Sequence, residues 1–140
     1  MKQFHYAYKK FTLPDSQGKL TSIYRPIIPI TISIGDASLV SAAVIDSGAD
    51  YCTFPKWVLR NLGVHLKSGP RDSVRGLTEK VDTYIHKTML KIETVEFEID
   101  GYYIDKNMPY CLLGQNGFFS FFNVNFEFQK KNIILTRIKH

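Results

Sequence analysis

The sequence predicts a mainly β protein with one or two short helices, and three observations carry that expectation. Short runs alternate apolar and polar residues with a period of two; β-branched residues gather in those runs; and turns containing Gly or Pro separate them. Only one stretch has convincing helical spacing. The chain has 140 residues, 44% hydrophobic and 14% aromatic. A single domain of this size buries roughly two-thirds of the surface its unfolded form exposes, enough for a core without metals or disulfide staples. Two full domains do not fit. Charged residues make up 22%, which excludes intrinsic disorder. The longest aromatic run, Phe118-Phe119-Ser120-Phe121-Phe122, is far shorter than the roughly 20 residues a bilayer-spanning helix needs.

In chain order, residues 4–11 alternate aromatic and polar side chains and read as an opening strand, closed by the turn Pro14-Asp15-Ser16-Gln17-Gly18. The Ile-rich run 27–34 reads as a strand ending at Gly35-Asp36, with Pro29 marking an edge or a bulge. Residues 39–45 form the next strand and lead into Asp46-Ser47-Gly48-Ala49-Asp50. Pro55 opens the helical stretch, in which Trp57, Val58 and Leu62 recur at near-helical spacing, and Gly63 stops it. Residues 68–79 are polar, with Gly69-Pro70 and Gly76, and read as a loop or hairpin tip. Residues 81–92 and 95–104 are strand-like, with either Glu93-Thr94 or Asp100-Gly101 as the tight turn between them. Tyr110-Cys111-Leu112-Leu113-Gly114 is a further buried strand, residues 117–122 a helical turn, and residues 124–128 and 133–135 a hairpin across 129–132. No internal repeat is visible.

Eighteen Lys and Arg against thirteen Asp and Glu give a net charge of +5. The excess is modest and scattered in sequence, which favours a solvated surface over a nucleic-acid partner. A small nucleic-acid-binding barrel would also need a basic stripe interleaved with aromatics, and none is legible. Cys52 and Cys111 form no C-x-x-C pair and have no neighbouring histidine, which argues against a disulfide framework, a zinc site or another metal centre. The start, Met1-Lys2-Gln3-Phe4-His5-Tyr6, has neither the apolar core nor the cleavage site of a secretory signal. The expectation is a soluble, cytoplasmic protein with no cofactor and no membrane partner.

The informative segment is Ala43-Val44-Ile45-Asp46-Ser47-Gly48-Ala49-Asp50. An apolar strand delivers an acidic residue into a tight turn. Gly48 permits close backbone approach, so that its N–H can point at the Asp46 carboxylate, and Ser47 offers a hydroxyl to hold the turn across an interface. An isolated Asp-Ser-Gly is common turn chemistry, so the surrounding pattern has to carry the inference.

That pattern resembles the retropepsin family, the single-lobe aspartic proteases of the retroviral type and their bacterial and eukaryotic relatives. Val44-Ile45 before Asp46-Ser47-Gly48-Ala49 matches the family's first signature, and Leu112-Leu113-Gly114 its second. Gly76-Leu77-Thr78-Glu79 falls where the family places its flap, and Tyr24-Arg25-Pro26 resembles the entry strand. The resemblance covers about residues 24–122. It implies one closed, barrel-like retropepsin (acid protease) domain over 1–140, with an N-terminal extension at 1–22 and an extra C-terminal hairpin at 123–140.

The resemblance also implies an aspartic endopeptidase. Two carboxylates held together share a proton, so that one acts as base toward water and the other as acid toward the carbonyl oxygen. Asp15-Ser16-Gln17 and Asp72-Ser73-Val74 lack the glycine of the motif, so a dyad requires Asp46 from two chains and therefore a homodimer acting on a peptide or protein. Asp46, Ser47 and Gly48 are the implied catalytic turn. Ala49, Asp50, Gly76, Leu77, Thr78, Tyr110 and Leu112 are the implied substrate-binding residues. Ala49 lacks the hydroxyl that two-lobed relatives direct at the dyad, so activity is expected at mildly acidic to neutral pH. Where retroviral relatives carry an arginine to anchor the residue matching Asp50, this chain has Gln115; Arg25 of the second chain is the alternative partner. The competing expectation is a catalytically inactive module that keeps the fold for binding or dimerisation.

Overall fold

The computed structural model describes residues 2–72 and 81–139. Alternation becomes sheet almost everywhere it occurs. The strands are β1 (Gln3–Ala7), β2 (Lys9–Pro14), β3 (Leu20–Arg25), β4 (Ile27–Ile34), β5 (Ala37–Ile45), β6 (Thr53–Pro55), β7 (Thr83–Ile92), β8 (Val95–Ile104), β9 (Cys111–Leu113), β10 (Phe122–Glu127) and β11 (Asn132–Arg137). Six of them close a barrel in the order β4-β5-β9-β6-β8-β7. The long β7–β8 hairpin shows why the core forms. Along β8, Val95, Phe97, Ile99, Gly101 and Tyr103 are buried while Glu96, Glu98 and Asp100 are exposed. Alternation with a period of two therefore puts one apolar face inside.

The β7–β8 turn is Glu93-Thr94, with Ile92 opposite Val95 and Glu93 in the left-handed region at φ 53°. The other candidate, Asp100-Gly101, lies inside β8, where Gly101 faces His86. A Cβ at Gly101 would lie 2.6 Å from Thr88 Oγ1 and 2.8 Å from Tyr103 Cε1. This glycine serves close packing rather than a turn. Pro29 tolerates its strand because β4 pairs with β7 only through Thr31, Ile32 and Ser33, leaving the proline outside that ladder.

One short helix, α1 (Lys56–Leu62), follows Pro55, buries Val58, Leu59 and Leu62, and ends at Gly63, whose φ is 71°. A 3₁₀ turn at Leu66–Ser68 follows it, and another, Phe118–Ser120, occupies the predicted helical turn near the C-terminus. Residues 68–72 are drawn toward β7, with Asp72 N–H donating to Thr83 O at 2.8 Å and Ile85 N–H to Pro70 O at 2.9 Å. The rest of that predicted loop lies outside the described residues.

Two sequence expectations change. Residues 4–11 are not one strand. β1 pairs with β11, Tyr8 N–H donates to Lys131 O at 3.0 Å, and Lys9 then opens a different ladder opposite Arg25. The pairing partner changes between Ala7 and Lys9, so the strand is interrupted at Tyr8. Its two halves lie in a three-stranded sheet, β1-β11-β10, and a separate ribbon, β2-β3. The charge is also not scattered. Residues 1–25 and 122–140 hold nine basic and two acidic residues, net +7, whereas 26–121 hold nine basic and eleven acidic, net −2. The whole positive excess belongs to the two chain ends.

Candidate active site

The Asp46 turn grows from the seam between β5 and β9. These strands run parallel, with Ala43, Val44 and Ile45 opposite Cys111, Leu112 and Leu113. Asp46 N–H continues the ladder by donating to Leu113 O at 2.9 Å, and Ile45 N–H donates to Pro26 O at 2.9 Å. Apolar strands on both sides thus fix the backbone that carries the carboxylate. Asp46 is half-buried, while Ser47 and Gly48 are exposed.

Within the turn, Asp46 Oδ1 accepts the Gly48 N–H at 2.9 Å, and Asp46 O accepts the Ala49 N–H at 3.2 Å. A Cβ at Gly48 would stand 3.2 Å from Asp46 Oδ1, tighter than ordinary contact, so glycine leaves the carboxylate its position. The arrangement holds one oxygen by a backbone donor and leaves the second without a hydrogen-bond partner among the described residues.

The segment following β9 braces the turn from beneath. Gln115 N–H donates to Ala49 O at 2.8 Å, and Asn116 N–H to Asp50 O at 2.7 Å. Gly114 is buried against these residues, and any Cβ there would overlap the carbonyl oxygens of Tyr51 and Ala49. The two sequence signatures are therefore one structure: the first presents the carboxylate, and the second supplies the floor that only glycine fits.

Gln115 has a role that sequence reasoning missed. Its side-chain Nε2 donates to Ser47 O at 2.7 Å, so the residue standing where an arginine was expected clamps the turn instead of reaching Asp50. Asp50 is exposed, and among the described residues neither its carboxylate nor the Ser47 hydroxyl has a hydrogen-bond or ion-pair partner. Arg25 lies over the Phe11 ring, 5.1 Å from its centroid.

Ala49, Tyr110 and Leu112 are each half-buried. Leu112 sits between Val44 and Thr53 in the seam. Tyr110 meets Phe11 edge to face at 6.5 Å, so it touches the β2-β3 ribbon as well as preceding β9. Gly76, Leu77 and Thr78 lie outside the described residues. A depression of about 360 Å³ lined by Lys56, Leu59, Arg60 and His65 at the end of α1 includes none of the sequence-predicted residues. Among the described residues, no three His, Cys, Asp or Glu side chains gather to hold a metal, and no helix is long and apolar enough to cross a membrane.

Neither a protein-family model nor a curated protein matches the sequence. Solved structures do resemble the fold. EIAV protease complexed with the inhibitor HBY-793 aligns over 65% of this chain and 82% of its own, at 18% identity and a TM-score of 0.51. A retropepsin-like aspartic protease from Rickettsia conorii aligns over 93% of this chain and 94% of its own, at 18% identity and a TM-score of 0.55. The retroviral protease-like domain of Ddi1 from Leishmania major covers 81% of this chain and 94% of its own, at 13% identity and 0.53. The closed barrel, the parallel β5–β9 seam and these three likenesses together identify the chain as having the retropepsin fold.

Proposed function

We propose that the chain is an aspartic endopeptidase whose active site is completed by Asp46 of a second copy. The observation that carries this reading is the turn itself: a half-buried carboxylate at the end of a barrel strand, one oxygen held by the Gly48 N–H and the backbone braced by Gln115. One carboxylate cannot act as base and acid in the same step. Two carboxylates facing each other share a proton and titrate as a unit. The ionised one takes a proton from water as the water oxygen bonds to the scissile carbonyl carbon, and the protonated one gives its proton to the carbonyl oxygen. Collapse of the resulting diol breaks the C–N bond, and the amine leaves with a proton.

In this reading Ser47 holds the turn across the dimer, Ala49 and Asp50 contact substrate backbone, and Tyr110 and Leu112 line apolar side-chain pockets. Gly76, Leu77 and Thr78 form the flap that covers the peptide. Arg25 of the second copy is the partner for Asp50. The unpartnered Asp50 also suits the second reading, a non-catalytic binding module. Cleavage of a diverse peptide library by wild type and Asp46→Asn separates the two. We expect wild-type cleavage and a loss of at least about a hundredfold in the variant, with the fold retained. Equal rates would remove Asp46 from the chemistry.

A further inference from the structure

The β2-β3 ribbon belongs to no larger sheet, and every residue from 12 to 23 is exposed. A two-stranded hairpin is marginal by itself in water, and between Thr12 and Ile23 this one is covered by nothing else among the described residues. Register places Phe11, Leu13 and Ile23 on one face and Pro14 and Leu20 on the other. Leu20 is 69% exposed, and Leu13 and Ile23 each 37%. These are three of the seven exposed large hydrophobics among the described residues. Apolar groups on both faces require something that wraps the ribbon.

The base of the ribbon is fixed. Phe11 leans on Tyr110 from one face, and on the other Tyr24 meets Phe128 at 6.4 Å with the Lys131 ammonium 4.7 Å from the Tyr24 ring. Pro26, just after β3, accepts the hydrogen bond from Ile45, the neighbour of Asp46. The ribbon therefore leaves the molecule from the backbone that carries the candidate catalytic turn.

Its charge is without ion-pair partners among the described residues. Lys9, Lys10, Lys19 and Arg25 outnumber a single Asp15, and the Asp15 carboxylate is engaged in its own turn, accepting the Gln17 and Lys19 N–H groups at 2.9 Å. None of the four cations is in an ion pair among the described residues. Lys9 stands directly opposite Arg25, with both cations over the Phe11 ring; the ring attracts each of them, but their mutual repulsion is one that an anion would relieve.

We propose that the β2-β3 ribbon is an arm that clasps the barrel of a second copy of this chain. The inference rests on the two-copy reading of the Asp46 site and names the element that holds the copies together. Three features select this occupant. The arm starts at the turn where the second copy must arrive. Its +3 charge complements a barrel of net −2, on which Asp50 is exposed and unpartnered. Its two-sided apolar tip fits an embrace rather than a flat contact.

Sedimentation equilibrium on the full chain tests the arm, comparing wild type with Leu13→Glu/Leu20→Glu and with Lys10→Glu/Lys19→Glu. The lysine variant disturbs no apolar contact and decides the question if the leucine variant fails to fold. We expect a wild-type dimer that weakens several-fold as salt rises. In the leucine variant we expect weakening of at least about a hundredfold, because a twofold counts each substitution twice. Either folded variant dimerising with the wild-type constant overturns the arm and leaves the shared dyad standing. A wild type that is monomeric at every concentration overturns both. Ribbon-dependent binding of anionic vesicles or single-stranded RNA, with dimerisation unchanged, also overturns the arm.

Discussion

Cys52, just before β6, and Cys111, at the start of β9, are both free and fully buried. Burial pushes the Cys111 thiol from its ordinary 9.0 up to about 12, although contact with the Ser41 hydroxyl partly offsets this, and it raises Cys52 in the same direction. Above pH 9 the unfolded chain loses these protons while the folded chain keeps them. Stability is therefore fully present below pH 9 and falls as pH rises toward 12. Thermal unfolding should show that decline, and Cys111→Ala should flatten part of it while costing about 1–2 kcal/mol at neutral pH through the lost packing. A slope unchanged by the substitution would assign the alkaline decline to other groups, among them Tyr102, which burial and Tyr51 push up to about 12. The same burial makes both thiols slow toward disulfide reagents at neutral pH. At this scale the site was legible wherever a residue type has few uses: Asp46 with Gly48, and Gly114 in its close-packed floor. The clamp from Gln115 was not legible, because a glutamine side chain has many possible partners and only the folded backbone brings the Ser47 carbonyl within reach.

At the scale of elements, the first and last strands of the chain meet. β11 lies between β1 and β10, with Phe4 opposite Leu135 and Tyr6 opposite Ile133. Tyr6 O–H also donates to Glu93 Oε1 at 2.8 Å, and Lys2 Nζ to Thr94 Oγ1 at 3.3 Å, so the sheet is tied to the β7–β8 turn. Burial first and then Glu93 raise the Tyr6 pKa, which marks this phenol as a donor. Removing residues 2–7 should therefore destabilise the domain by about 2 kcal/mol or more, since Ile133 and Leu135 lose cover, and Tyr6→Phe should cost about 1 kcal/mol. Urea unfolding checks both; an unchanged midpoint in the truncated chain would make β1 an ornament of the fold. Alternation in sequence revealed most of the strands, because burial on one face imposes it, but not the exposed β3 or the three-residue β6. The one interruption of alternation in residues 4–11, the doubled Lys9-Lys10, marks the break at Tyr8 but does not say that the two halves join different sheets. The partners that divide them lie near residue 131 and residue 25 and are legible only in three dimensions. The choice between Glu93-Thr94 and Asp100-Gly101 was hidden for a similar reason: a glycine required by packing looks in sequence like one required by a turn.

For the whole molecule, one Asp-Ser-Gly in 140 residues makes assembly part of the proposed chemistry, and that has a consequence independent of the substrate. If each active site uses Asp46 from two chains, a chain carrying Asp46→Asn disables every dimer it enters. Mixing wild type with an equal amount of the variant, at fixed total concentration and with time for subunits to exchange, leaves about a quarter of the dimers with two intact carboxylates. Chains acting singly would retain about half of the activity. The initial cleavage rate against mixing ratio therefore follows the square of the wild-type fraction for a shared dyad and a straight line for independent sites. The arm sharpens the expectation. At a constant wild-type concentration, ribbon variants that also carry Asp46→Asn should depress the rate less than Asp46→Asn alone, because a mixed dimer keeps only one of its two arms and forms more weakly. A poisoned rate with Asp46→Asn alone, and clearly weaker poisoning with the combined variant at the same concentrations, would place the two halves of the active site on different chains and the means of joining them on β2 and β3.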